Sequence, residues 1–146
     1  IISTYNLNLI TPTLLINQLL KTYNNGVKKL VLNISSGAGR SPIDGWNVYC
    51  ATKAGLDILS LVFKEEINNK SLNINVLSLA PGIIDTGMQE FIRKAEETNF
   101  SSIERFIAYK KNGDLASPLA TAKLVAKFIS DKTLQENTLC TVRDIT

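Results

Sequence analysis

The feature that most constrains the fold is the alternation of helix-period segments with short strand-like segments along the chain. We predict helices over residues 4–24, 46–69, 86–97, 101–112 and 117–129, and strands over 28–35, 72–79 and 138–142. Strands that are joined through helices favour a parallel sheet covered by helices. We therefore predict an α/β fold, organised as a single domain over residues 1–146.

Breaker residues set the predicted boundaries of the first elements. Pro12 lies inside the first helical segment and should kink it or mark a boundary. Residues 24–26 (Asn-Asn-Gly) are a helix stop. The apolar run that follows is typical of a buried strand, and residues 36–45, with two glycines, a proline and an Asp-Gly pair, are predicted to form a loop.

Three capping signatures predict where the later helices begin. They are Thr86 with Gln89 at capping-box spacing, Ser101 with Glu104 at the same spacing, and Ser117 followed by Pro118.

Charge and residue composition exclude several classes of function. The chain has 16 basic and 13 acidic residues, a net charge of +3, and its basic residues are scattered, which argues against a dedicated nucleic-acid surface. It contains no histidine and two distant cysteines, Cys50 and Cys140, so we expect neither a Ser-His-Asp triad, nor a metal site, nor a disulfide framework. No apolar run approaches the ~20 residues of a membrane-spanning helix, and we expect a cytoplasmic protein.

The start of the chain is unusual. It begins at Ile1, and its single methionine is Met88. We expect an upstream segment to be truncated, processed or not included, in which case a targeting signal would not be visible.

Tyr49 and Lys53 are the strongest candidates for chemistry. Their spacing of four places both side chains on one face of the predicted helix 46–69. A phenol has a pKa near 10, and a neighbouring ammonium favours the phenolate. The pair could therefore exchange a proton with a substrate. The alternative is two residues on a solvated helix face.

Ser35 and Ser36 follow the first predicted strand, at the sheet edge where open α/β sheets bind ligands. A hydroxyl group there could hold a substrate carbonyl oxygen. Alternatively, both serines only satisfy backbone groups of the loop.

Residues 33–39 (NISSGAG) and 46–55 (WNVYCATKAG) resemble the active-site stretch of the short-chain dehydrogenase/reductase family. In that family the catalytic serine precedes the tyrosine by 13 positions, which selects Ser36 over Ser35. The resemblance implies that Tyr49 and Lys53 also bind the cofactor, with Lys53 holding the nicotinamide ribose. It further implies that Asn8, in the run 6–9 (NLNL), holds a water of the proton relay; the alternative for Asn8 is a polar residue on an exposed turn.

Residues 81–86 (PGIIDT) resemble the family's cofactor loop after the next strand. The resemblance implies that Pro81 and Gly82 shape this loop, that Ile84 offers backbone groups to the nicotinamide carboxamide, and that the Thr86 hydroxyl contacts it. We expect Thr86 also to cap the following helix.

The resemblance covers nearly the whole chain and is strongest to the sepiapterin reductase and benzil reductase branch. It implies the second half of a Rossmann-type, doubly wound parallel sheet, the N-terminal nucleotide-binding half not being in the sequence. It implies NADPH as cofactor, with NAD as the alternative, a ketone or vicinal dicarbonyl as substrate, and residues 87–117 as the segment that covers it. A homodimer or tetramer would form through helices 4–24 and 46–69. The alternatives are a non-catalytic dinucleotide-binding sensor or scaffold, or an inactive fragment.

Overall fold

The computed structural model describes residues 1–23, 26–95, 100–131, 135 and 137–145. Three parallel strands form one sheet in the order β1-β2-β3. Their bounds are Lys29–Ile34 (β1), Ile74–Ala80 (β2) and Leu139–Thr141 (β3). The predicted α/β fold with a parallel sheet is confirmed.

Six α-helices connect or flank these strands within the described residues. They are Ile2–Tyr5 (α1), Thr11–Thr22 (α2), Asn47–Asn69 (α3), Gly87–Ile92 (α4), Ile103–Lys111 (α5) and Pro118–Ser130 (α6). Two short 3-10 turns cover Gly37–Gly39 and Val142–Ile145. The first of these turns lies inside residues 36–45, which were predicted to be a loop throughout.

β2 is the central strand, and its two faces contact different helices. Ile74 and Val76 pack with Phe63 of α3 in one buried cluster. Leu77 and Leu79 pack with Phe128 of α6 in another. Successive strand residues point to opposite faces, so one strand supplies the core on both sides of the sheet.

β1 corrects the prediction of a buried strand. Within the described part of the chain it pairs with β2 alone, and its residues are half-buried, with Ile34 47% exposed. The apolar run 30–34 has the composition of a central strand, but composition does not tell whether a neighbouring strand is present.

The predicted first helix is present but contains a change of register. Residues Asn6–Ile10 form a π-helical segment between α1 and α2, and the backbone stays right-handed across both junctions. Pro12 has no N–H to give to the carbonyl of Asn8, four residues earlier, and its ring crowds that carbonyl. A wider turn immediately before the proline accommodates both effects. Asn24 and Asn25 of the predicted helix stop lie outside the described residues.

Only one of the three predicted capping signatures is confirmed. Ser117 Oγ accepts a hydrogen bond from the Ala120 N–H at the start of α6. Thr86 occupies the N-cap position of α4, but its side chain makes no capping hydrogen bond, and α4 ends at Ile92 rather than near 97. The expected partner Gln89 is buried instead.

The predicted capping box of α5 is also wrong. The N-cap residue is Ser102 rather than Ser101, and it makes no side-chain cap. The Ser101 N–H instead donates to Oδ2 of Asp44, 3.4 Å away. Hydrogen bonds from Ser101 hold the pKa of the Asp44 carboxyl below its usual range.

Candidate active site

Tyr49 and Lys53 lie one turn apart near the start of α3, with Nζ of Lys53 5.8 Å from the centroid of the Tyr49 ring. The same Nζ donates a hydrogen bond of 2.8 Å to the carbonyl oxygen of Ile34, the last residue of β1. Lys53 is thereby fixed at the carboxyl edge of the sheet, where parallel α/β sheets bind their ligands. The prediction that both side chains share one helix face is confirmed.

Burial and a carboxylate act on Lys53 in opposite directions. Burial lowers the pKa of its ammonium, and the negative charge of Asp57, one turn further along α3, partly offsets this effect. Removal from water disfavours a charged amine, whereas a nearby anion favours it.

Ser36 lies two residues beyond β1 and forms the N-cap of the 3-10 turn Gly37–Gly39. Its Oγ accepts a hydrogen bond of 3.2 Å from the Ala38 N–H. The turn packs directly on α3, because a Cβ atom on Gly39 would stand 2.7 Å from the carbonyl carbon of Lys53. Only glycine permits this approach. The backbone that carries Ser36 therefore lies against the helical turn that carries Lys53.

Ser35, the alternative serine, is buried. It is 3% exposed, and its Oγ lies 3.5 Å from the carbonyl oxygen of Lys53.

Asn8 contacts α3 through the π-helical segment. Its Nδ2 donates to Oγ1 of Thr52 at 3.2 Å, and that hydroxyl donates to the carbonyl oxygen of Tyr49 at 2.9 Å. Beside it, Leu9 packs against Gly55, where a Cβ atom would meet a leucine methyl at 3.0 Å. The structure thus brings Asn8 to the same turn of α3 as Tyr49.

The predicted cofactor loop follows β2. Gly82 has a φ of +82°, a left-handed conformation that favours glycine. A short parallel bridge pairs Ile84 with Ala116: the Asp85 N–H donates to the Ala116 carbonyl, and the Ala116 N–H donates to the Ile83 carbonyl. The N–H and C=O of Ile84 itself have no backbone partner among the described residues. The side chain of Thr86 makes no hydrogen bond that caps α4.

An aromatic cluster adjoins Tyr49. The Trp46 ring meets the Tyr49 ring edge-on at 5.5 Å and stacks on Phe100 at 5.4 Å. Phe106 and Tyr109 of α5 extend the cluster. Residues of the segment 87–117 therefore contact Trp46, which lies one helical turn before Tyr49.

An ion pair joins the segment 87–117 to the predicted cofactor loop. Nζ of Lys110, in the last turn of α5, pairs with Oδ2 of Asp85 at 2.5 Å. Gln89 and Arg93 of the α4 region each have one buried side-chain atom without a hydrogen-bond partner among the described residues, Oε1 and Nη1 respectively.

A polar network centred on the buried Asp57 and the partly exposed Arg40 was not predicted from the sequence. Nε of Arg40 pairs with Oδ2 of Asp57 at 2.9 Å, and Oγ of Ser78 donates to Oδ1 at 2.6 Å. Burial alone would raise the pKa of Asp57, but hydrogen bonds from Arg40, Ser78 and Ser35 outweigh it and lower that pKa. Each residue type is common on protein surfaces, so only the fold reveals the network.

The described residues lack two further kinds of feature, a metal-binding cluster and a membrane-spanning helix. No group of three or more cysteine, aspartate or glutamate side chains is placed to hold a metal ion. None of the described helices has both the length and the apolar character needed to cross a membrane.

Comparison with known proteins gives close relatives. The family model for short chain dehydrogenase matches residues 1–97. Benzil reductase ((S)-benzoin forming) of Bacillus cereus is 38% identical over 129 residues, which are 88% of this chain and 52% of that protein. Sepiapterin reductase of Rattus norvegicus is 40% identical over 90 residues, 60% of this chain and 33% of that protein. These relatives bear the two names of the predicted branch.

A solved structure agrees with this placement. The crystal structure of the KRED1-Pglu enzyme matches with a TM-score of 0.75 and 32% identity, over 85% of this chain and 50% of that one. The chain thus spans about half the length of its first relatives. The match of the family model over residues 1–97 and the identity to the two reductases show that this chain belongs to the short-chain dehydrogenase family.

Proposed function

We propose that this chain carries the catalytic residues of an NAD(P)H-dependent carbonyl reductase, with Tyr49 as proton donor. The supporting observation is the shared face of Tyr49 and Lys53, with the Lys53 ammonium bonded to the last carbonyl of β1. That arrangement puts an acid and a cation at the ligand-binding edge of a parallel sheet.

The free groups of the cofactor loop fit a nicotinamide. Its carboxamide needs a donor and an acceptor, and the backbone of Ile84 offers both without a backbone partner. The hydroxyl of Thr86 is not consumed by helix capping, and Pro81 with Gly82 turns the chain from β2 into this loop. When bound, the reduced nicotinamide supplies the hydride.

Tyr49 and Ser36 would bind the substrate carbonyl oxygen, and Tyr49 would deliver the proton to it. Hydroxyl donors at this oxygen stabilise the negative charge that develops there. The Lys53 ammonium donates one hydrogen bond to Ile34 and keeps two N–H groups, which would hold the ribose hydroxyls beside Tyr49.

Asn8 would hold the water that resupplies the proton. Its link through Thr52 to the carbonyl of Tyr49 supports this role, because it anchors the π-helical segment to the turn of α3 that carries the tyrosine. A water bound there would connect the site to solvent.

The substrate that we propose is a vicinal dicarbonyl or a related ketone, reduced with NADPH in preference to NADH. The relatives named benzil reductase support a dicarbonyl. The half-buried ring of Trp46, which lies edge-on to Tyr49, supports a substrate with an aromatic group, because aromatic rings pack edge-on or offset against one another.

We further propose a homodimer or tetramer in the cytoplasm. Apolar side chains are exposed on both long helical segments, including Leu14 at 63% and Ile58 at 59%. Such a surface is typical of a protein interface. Cys50 and Cys140 are free thiols, which fits a reducing compartment. The molar mass of the purified protein, measured by light scattering after size-exclusion chromatography, tests the assembly. The mass of a monomer would contradict it.

The test of this function is the consumption of NADPH in the presence of benzil by the purified protein, with NADH assayed in parallel. We expect NADPH to be consumed in step with formation of benzoin. NADPH binding without turnover would instead indicate a dinucleotide-binding sensor or scaffold. Absence of both binding and turnover would indicate an inactive fragment.

A further inference from the structure

Arg40, whose side chain is 25% exposed, stands at the centre of a partly buried network that joins four elements. It follows the turn Gly37–Gly39, whose N-cap is Ser36. Nε of its guanidinium binds Asp57 of α3 at 2.9 Å. Nη1 donates to the carbonyl of Cys140 in β3 at 3.1 Å, and Nη2 donates to the carbonyl of Ser78 in β2 at 3.0 Å. One planar side chain therefore fixes the Ser36 loop to a helix and two strands.

Asp57 holds the opposite side of this network. It is 4% exposed, and its second oxygen accepts from Oγ of Ser78 at 2.6 Å. Both carboxylate oxygens are thus occupied, as a buried anion requires. Asp57 lies one helical turn beyond Lys53, and its charge acts on the Lys53 ammonium.

The Ser36 loop packs closely against the backbone of Lys53. Gly39, next to Arg40, approaches the backbone of Lys53 and Ala54 so closely that an added Cβ atom would stand 2.7 to 2.9 Å from it. The guanidinium–carboxylate pair bridges the same two elements, the loop and α3. It therefore sets how the loop sits along the helix.

We propose that Arg40 and Asp57 are positioning residues, which hold the loop of Ser36 in register with Tyr49 and Lys53 of α3. This inference rests on the proposed carbonyl reduction for its effect on catalysis. Neither residue contacts the reacting atoms. They act by fixing where the Ser36 hydroxyl stands, and misplacement of a catalytic group by ~1 Å can reduce a rate about a hundredfold.

Stability alone does not account for such a pair. The pair is buried on the side of Asp57 and partly exposed on the side of Arg40. Removing one partner of a buried pair is strongly destabilising, whereas replacing both partners by apolar side chains is often neutral. The loop could therefore be packed by apolar contacts. What the ion pair adds is a directional link, because the guanidinium satisfies three acceptors at fixed angles.

The double variant Arg40→Met/Asp57→Leu tests this inference, since it removes the network without leaving a buried unpaired charge. Its urea midpoint shows whether it is folded. Two readouts follow on the folded protein: amide hydrogen exchange of residues 36–41, and kcat and KM for benzil with saturating NADPH. Ser130→Ala, which removes an exposed hydrogen bond to the Ala126 carbonyl in the last turn of α6, serves as the matched control.

We expect faster exchange over residues 36–41 in the double variant, and a kcat lowered about tenfold or more with little change in KM. Arg40→Lys, which keeps the charge but loses the fork, should fall between the double variant and wild type. Ser130→Ala should match wild type in both readouts.

Unchanged exchange, or an unchanged kcat in the folded double variant, would overturn the inference. If wild type reduces no carbonyl compound, the proposed function fails, and hydrogen exchange decides the positioning role by itself. If the double variant does not fold, Arg40→Lys carries the test, and wild-type exchange and kcat in that variant would equally overturn the inference.

Discussion

Replacing Gly39 by alanine should move the Ser36 loop away from α3. An added Cβ atom would stand 2.7 Å from the carbonyl carbon of Lys53 and 2.9 Å from the nitrogen of Ala54. Both are backbone atoms of a long helix and cannot rotate away. Ordinary carbon contacts are about 3.5–4.0 Å, so the loop must shift by roughly half an ångström or more.

The expected loss in the free energy of unfolding follows from this steric overlap. Overpacking a tight contact costs about 1–3 kcal/mol. Replacing glycine by alanine where φ is negative returns about 0.4–1 kcal/mol by restricting the unfolded chain, and Gly39 is not among the glycines with positive φ. We therefore expect Gly39→Ala to lower the free energy of unfolding by about 1–2 kcal/mol.

Gly37→Ala is the matched control, because it lies two residues away in the same turn and has no atom within 4 Å of its added Cβ. Its stability should be unchanged or raised by up to ~1 kcal/mol. Equilibrium unfolding in urea measures both variants. Coincident unfolding midpoints for Gly39→Ala and Gly37→Ala would refute the close approach of loop and helix.

Three further predictions concern other parts of the chain. Ser117→Ala removes the observed side-chain cap of α6 and should cost about 1 kcal/mol in urea unfolding, whereas Ser102→Ala, at an N-cap without a side-chain bond, should cost little; equal losses would contradict the assigned caps. Phe128→Ala, at a fully buried position, should cost about 3–5 kcal/mol, against almost nothing for the 79% exposed Phe91→Ala, and a small loss at Phe128 would argue against the α6 core. Burial raises the pKa of the Cys140 thiol to about 11, so iodoacetamide near neutral pH should label it only after unfolding; rapid labelling of folded protein, seen by peptide mass mapping, would show that it is accessible.

Local sequence signals predicted the element order because each helix and strand carries its own periodicity. The predicted strand 72–79 matches β2, whose residues alternate between two cores. The cap of α6 was predicted because serine followed by proline acts within one turn.

The errors arose where distant residues compete for local groups. The Ser101 N–H binds the Asp44 carboxylate, and Gln89 is buried rather than folding back on Thr86. Both capping boxes are favourable in an isolated helix, but tertiary contacts override a preference of about 1 kcal/mol.

Some contacts of the candidate site can be predicted from local sequence, and others cannot. The spacing of Tyr49 and Lys53 fixes their shared face, so the sequence alone predicts it. The pairing of Arg40 with Asp57, and of Lys110 with Asp85, spans 17 and 25 positions and depends on the fold. No local pattern signals such contacts.

The central claim is that Tyr49 delivers the proton to a carbonyl oxygen, and Tyr49→Phe tests it most directly. NADPH oxidation with benzil should be measured for this variant, for wild type, and for Tyr23→Phe, which removes a hydroxyl that has no hydrogen-bond partner among the described residues. We expect Tyr49→Phe to unfold at the wild-type urea midpoint but to lose turnover by a factor of about 10²–10⁴, and Tyr23→Phe to retain it. Turnover near the wild-type rate in Tyr49→Phe would contradict the account.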